Sequence, residues 1–170
     1  MRITCPEQRI HATAVFPRGP VEGDVVFSQI KGGTQVIANF TKMPRGKHGF
    51  HIHKAGDLRG KGCQGACDHY HRGKKGTRHG GPPQTSLRKT RKSQRHSGDL
   101  GNISMRKNEK VSTFIYFLPN IPVEDLFGRS VIVHADEDDL GKGKHQDSHT
   151  TGHSGKRIAC AVIGRSHNCA

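Results

Sequence analysis

The chain has 170 residues, of which 31% are hydrophobic, with a mean hydropathy of −0.71. That suits one domain, residues 1–170, with a modest core and long polar loops, and it leaves no apolar run long enough for a membrane-spanning helix. Lys and Arg number 28 against 14 Asp and Glu, a formal net charge of +14, which favours anionic partners or substrates over cationic ones.

In chain order, Met1-Arg2-Ile3-Thr4-Cys5-Pro6-Glu7 lacks the apolar stretch of a signal peptide, so the expected location is cytoplasmic. Short β-rich runs then recur between glycine and proline signals at 11–16, 24–30, 34–41 and 49–53. A loop-like stretch follows from Lys54 to Gly101, too long for a compact domain unless something orders it. Further runs lie at 102–105, 111–117, 130–134 and 158–163. Residues 122–126 read as a single turn, and 135–156 as a second long loop rich in Gly, Asp, Lys and His. Helical periodicity is almost absent, and eight short strands predict an all-β sandwich or barrel.

The chemistry is concentrated in histidines. Alternate residues of a strand share a face, so His51 and His53 in the 49–53 run can grip one ion. His69, His79, His96 and Asp99 follow in the first long loop, and His134 closes the run Val131-Ile132-Val133-His134. Imidazoles suit copper and zinc, while three imidazoles and a carboxylate suit zinc. Two metals are therefore expected.

The ordered blocks Gly46-Lys47-His48-Gly49-Phe50-His51-Ile52-His53, Gly56-Asp57, Gly62-Cys63, His79-Gly80-Gly81-Pro82, His96-Ser97-Gly98-Asp99-Leu100-Gly101-Asn102, Val131-Ile132-Val133-His134, Asp138-Asp139-Leu140-Gly141-Lys142-Gly143 and Arg157-Ile158-Ala159-Cys160-Ala161-Val162-Ile163-Gly164 resemble copper/zinc superoxide dismutases. The resemblance runs from about His11 to Gly164 and implies an eight-stranded Greek-key barrel. It implies an enzyme that converts two superoxide anions to oxygen and hydrogen peroxide by cycling copper between Cu(II) and Cu(I). Copper would be held by His51, His53, His69 and His134, and zinc by His69, His79, His96 and Asp99. His69 is then the shared bridge, releasing copper and taking up a proton on reduction, with His71 as the competing candidate two residues on. Arg157 would dock the anion. Asp138 would accept from one copper and one zinc histidine. Cys63 and Cys160 would form the disulfide, and His48 would brace backbone.

The five cysteines are an odd number; Cys67 reads as a buried small hydrophobe, and Cys5 and Cys169 lie near the chain ends. His11, His145, His149, His153 and His167 read as solvated. The chain departs from the family in four places. Residues 82–95 are an insertion carrying Arg88, Lys89, Arg91, Lys92 and Arg95, expected to be an exposed loop dispensable for catalysis and a source of weak polyanion binding. Asp136 and Thr150 stand near places where steering lysines are common. Arg165 replaces an apolar interface residue and weakens the expectation of the family's homodimer. Lys156 and Ile158 stand where prolines accompany strict dependence on a copper chaperone, so that chaperone is not expected to be required. If the chain is a viral copy, it would work in the host-cell cytoplasm or the virion. The competing readings are a copper chaperone or storage protein on the same fold and a basic polyanion-binding protein.

Overall fold

The computed structural model describes residues 11–83 and 95–166. Among these residues, nine antiparallel strands form two sheets: β1 (His11–Phe16), β2 (Glu22–Ile30), β3 (Gly33–Lys42), β4 (Lys47–His53), β5 (Asp99–Ser104), β6 (Ser112–Pro119), β7 (Ser130–His134), β8 (Arg157–Val162) and β9 (Gly164–Ser166). One sheet has the order β6-β3-β2-β1-β9, the other β5-β4-β7-β8. The chain crosses between them after β3, β5, β6 and β8, as the Greek-key expectation requires. The eight predicted strands are present, and β9 is an addition. After Val162 the chain leaves the β7 edge, buries Ile163 and pairs Gly164–Ser166 with His11–Thr13. Three residues are too few to show alternation in the sequence.

Period-2 patterning builds the core. Val25 and Phe27 of β2, and Val36, Ala38 and Phe40 of β3, are fully buried between the sheets. From the opposite sheet come Phe50, Ile52, Val131 and Val133, and Phe40 meets Phe50 edge to face at 5.6 Å. The intervening residues of β4 and β7 point the other way, yet they too are buried, because the two long loops fold over that face. His51 and His53 therefore stand on the reverse of Phe50 and Ile52, with His51 paired across to Ile132 and His53 to Ser130.

The long loops carry only fragments of regular structure. The first holds a 3₁₀ turn, Gln64–Ala66, and returns to the sheet through a bridge between His53 and His69. The second holds the helical turn α1 (Ser148–Thr151). The expected turn near 122–126 is a 3₁₀ turn, Val123–Leu126. A disulfide joins Cys63 to Cys160, pinning the first loop to β8. Among the described residues, no helix is long and apolar enough to cross a membrane.

Candidate metal centre

Two clusters of ligand atoms share His69. Nitrogens of His51, His53, His69 and His134 form one; His69, His79, His96 and Asp99 form the other, each with its ligand atoms within 4.8 Å of one another. Strands β4 and β7 supply His51, His53 and His134; the first long loop supplies His69, His79 and His96, and β5 begins at Asp99.

Hydrogen bonding fixes which nitrogen of each ring faces inward. Nε2 of His51 donates to Asp138 Oδ2 at 2.7 Å, Nδ1 of His53 to the Cys67 carbonyl at 2.8 Å, and Nδ1 of His134 to the Gly155 carbonyl at 3.1 Å. On the other side, Nε2 of His79 donates to Asp138 and Nε2 of His96 to the Thr77 carbonyl at 2.8 Å. What remains is one buried nitrogen per ring without a hydrogen-bond partner: Nδ1 of His51, His79 and His96, and Nε2 of His53, His69 and His134. Unpaired buried polar atoms are costly, and six of them converging on two points mark positions for cations.

The carboxylate of Asp99 makes the same case. Its Oδ2 is held by the backbone N–H groups of Gly80 and His96, both at 2.9 Å, which turns Oδ1 into the cluster. There Nδ1 of His69, His79 and His96 crowd it at 2.8, 3.0 and 3.4 Å. A tetrahedral ion with bonds of roughly 2.0–2.1 Å separates its ligands by about 3.3 Å, so the donor set fits zinc. Four imidazoles and no carboxylate suit copper on the other side.

Electrostatics divides the halves in the same way. Burial, reinforced by the other imidazoles, holds His53 down at about 2 and His134 at about 3, and pushes His51 and His69 down as well. These rings are neutral bases at pH 7. Burial would lower His79 too, but the hydrogen bond to Asp138 and the charge of the adjacent Asp99 carboxylate outweigh it and raise the ring to about 9. Burial acts against the Asp99 carboxylate, yet the hydrogen bond from His69 and the close rings of His79 and His96 hold it well below the usual carboxylate range.

The sequence profile described as copper/zinc superoxide dismutase (SODC) matches residues 21–163. A superoxide dismutase [Cu-Zn] of Paramecium bursaria Chlorella virus 1 is 42% identical over 159 residues, spanning 91% of this chain and 78% of that protein. The chain belongs to the copper/zinc superoxide dismutase family. The crystal structure of the clock protein EA4 superposes with a TM-score of 0.75 at 31% identity, covering 96% of this chain and 99% of that one.

Within this copper/zinc superoxide dismutase fold, a cavity of about 790 Å³ opens onto His53, His69 and His134. Arg157 lines it, its Nη1 donating to the Cys63 carbonyl at 2.6 Å and its Nη2 to the Cys67 carbonyl at 2.5 Å. Lys54, Lys75, Lys156, His71, His149 and Thr150 also line it. His71 is half-buried on the channel wall, with its ring 5.6 Å from that of His96, and it belongs to neither ligand cluster.

Asp138 is fully enclosed between His51 and His79. It is itself clamped by Asn102, whose Oδ1 accepts from the Asp138 backbone N–H at 2.7 Å and whose Nδ2 donates to the Asp138 carbonyl at 2.8 Å. Asn102 ends the run from His96 to Asn102, where its residue type alone gives no sign of this clamp. His48 braces backbone, with Nδ1 near the His134 and Ala135 carbonyls and Nε2 near that of Pro44.

Several expectations need correction. Cys67 is exposed, not a buried hydrophobe; it ends the 3₁₀ turn at φ 59°, and its carbonyl rather than its thiol faces the site. His11 is not simply solvated, since Nδ1 lies 2.8 Å from Ser28 Oγ. His145 and His153 are exposed, as expected, and they stack at 3.6 Å, with His153 paired to Asp147. Arg95, counted among the exposed cations of the insertion, is half-buried and bound to main-chain carbonyls. Cys5, Cys169, His167, Arg88, Lys89, Arg91 and Lys92 lie outside the described residues.

Proposed function

We propose that this chain dismutates superoxide to oxygen and hydrogen peroxide at copper held by His51, His53, His69 and His134, with zinc held by His69, His79, His96 and Asp99. The observation carrying this reading is the set of six rings, each with one nitrogen free and aimed into a cluster while other bonds fix five of them. Bound copper supplies alternating one-electron oxidation and reduction, and bound zinc a fixed charge beside His69.

The protein groups then have separate tasks. Arg157, held by the Cys63 and Cys67 carbonyls, offers its guanidinium to an anion at the cavity floor. His69 turns Nδ1 toward Asp99 and Nε2 toward His51, His53 and His134, so Nε2 is where a proton can be held and passed to reduced dioxygen. Asp138 fixes the tautomers of His51 and His79, and thereby both ring orientations. The disulfide keeps the turn carrying the Cys63 and Cys67 carbonyls against β8, beside Arg157.

The reading extends to one domain over residues 1–170, a cytoplasmic location, copper loading without strict chaperone dependence, and a weakened homodimer. Arg165 supports the last: it is exposed, with its guanidinium 5.9 Å from the centre of the Phe127 ring. A copper-storage protein on this fold is not favoured, because the copper set and the docking arginine are both present. Metal content and superoxide dismutation rate measured on one sample test the proposal. Full copper and zinc occupancy without dismutation would overturn it.

A further inference from the structure

Arg95 ends the stretch that lengthens the first loop, in a run of cations that the sequence presents as solvated. Its side chain instead turns inward. Nε donates to the Gly81 carbonyl at 2.8 Å, and Nη2 reaches the carbonyls of Ser97, at 3.5 Å, and Asp99. No carboxylate among the described residues lies within ion-pair distance of it. A half-buried guanidinium without a direct ion pair is costly, so these three carbonyls, with the nearby charge of Asp99, are what hold it there.

The gripped positions surround one cluster. Gly81 follows His79 by two residues, Ser97 lies between His96 and Asp99, and Gly80 donates its backbone N–H to Asp99 Oδ2. The segment between His79 and His96 is thus tied off at its two ends by a single side chain. Without the tie, His79 and His96 would be joined across the loop only by the Asp99 carboxylate, which Gly80 and His96 share, and by the His96–Thr77 bond, and more of the closure entropy of residues 80–95 would fall on each ion bound.

We propose that Arg95 is a positioning residue that sets zinc affinity, making it independent of residues 84–94. This rests on reading His69, His79, His96 and Asp99 as the zinc ligands.

The test uses the full chain stripped of metal, titrated with Zn²⁺ against a chromophoric chelator, and with Co²⁺ for its visible absorption bands. Arg95→Ala is expected to weaken Zn²⁺ binding about 10–100-fold and to alter the Co²⁺ bands. Arg95→Lys should recover part of the loss. Replacing residues 84–94 by a short Gly-Ser tether, with Arg95 kept, should leave both readouts unchanged. Cu²⁺ binding at His53 and His134 serves as the control for folding. Arg95→Ala matching the parent, or the tethered chain losing Zn²⁺ as severely as Arg95→Ala, would overturn the proposal. A parent chain that takes up no Zn²⁺ would instead overturn the zinc assignment and, with it, the clasp.

Discussion

Asp138 Oδ2 lies 2.7 Å from Nε2 of His51, with neither side chain exposed to solvent. The other oxygen is 2.8 Å from Nε2 of His79, so one carboxylate holds a ring from each cluster. Substituting Asp138→Ala should leave both rings free to turn and their nitrogens unpaired. Zinc affinity or activity should fall by about 10–100-fold, as measured by chelator competition on the metal-free protein. Unchanged affinity would mean that packing alone orients the rings. Gly152 reports on the same contact, because a Cβ there would lie 2.0 Å from Asp138 Oδ1 at a φ of +69°. Gly152→Ala should reproduce part of the Asp138→Ala loss.

The raised pKa of His79 makes zinc uptake a proton exchange. In the metal-free protein, His79 at about 9, against 6.5 for an unperturbed ring, stays protonated at neutral pH between Asp99 and Asp138. Its stabilising contribution is fully present below pH 6.5 and is lost as the pH rises through 9. Zinc held at Nδ1 of His79, as proposed, would have to displace that proton. Calorimetry near neutral pH in buffers of different ionisation enthalpy should show about one proton released by His79 per zinc, with apparent affinity rising toward pH 9. Heats that do not depend on the buffer would refute the exchange.

Arg157→Ala would remove the proposed anion dock without touching a proposed metal ligand. Copper and zinc content should stay at the parent level, while the dismutation rate falls by roughly 10–100-fold, the value of one charge-assisted hydrogen bond. An unchanged rate would assign docking elsewhere in the cavity.

The cavity carries Lys54, Lys75 and Lys156 besides Arg157, in a chain of net charge +14. Salt screens such a field over about 8 Å at physiological ionic strength, so the dismutation rate should fall as salt is added. Lys75→Glu should flatten that dependence. A rate that rises with salt would show that acids near the mouth, such as Asp68 and Asp147, outweigh the lysines.

Cys63 and Cys160 close a loop with a sequence separation of 97. Cys160→Ser should cost about 2–5 kcal/mol of unfolding free energy, measured by denaturant titration. Alkylation of the active protein without reductant should label Cys67, which is exposed and free, and spare the bridged pair. Labelling at Cys63 would contradict the bridge.

What the sequence made legible follows from which interactions demand a particular residue type. Metal ligands need imidazole or carboxylate, so His51, His53, His134 and Asp99 stood out, and alternating burial gave β1 to β4 nearly to their ends. Contacts in which a side chain meets a backbone carbonyl leave no such mark. Arg95 looks like any surface cation, and the Cys67 carbonyl, which holds both His53 and Arg157, belongs to a residue whose type says nothing about its main chain. Lys75 and Lys156 face one cavity from different loops, a proximity that only the folded chain creates. β9 was hidden for another reason: the apolar run ends at Ile163, where the chain changes sheet, and the polar Gly164–Ser166 is too short to show alternation.

In β4, Phe50 and Ile52 alternate with His51 and His53 on opposite faces of one strand, opposite Val133, Val131, Ile132 and Ser130 of β7. A slip of one position would drive two imidazoles into the apolar layer and lift two large apolar side chains toward the loops. A chain caught in that slipped pairing would be unable to assemble the copper cluster. An ion held by His51 and His53 would bind only the correctly threaded form, and would thereby favour the native strand alignment over mispaired chains by mass action.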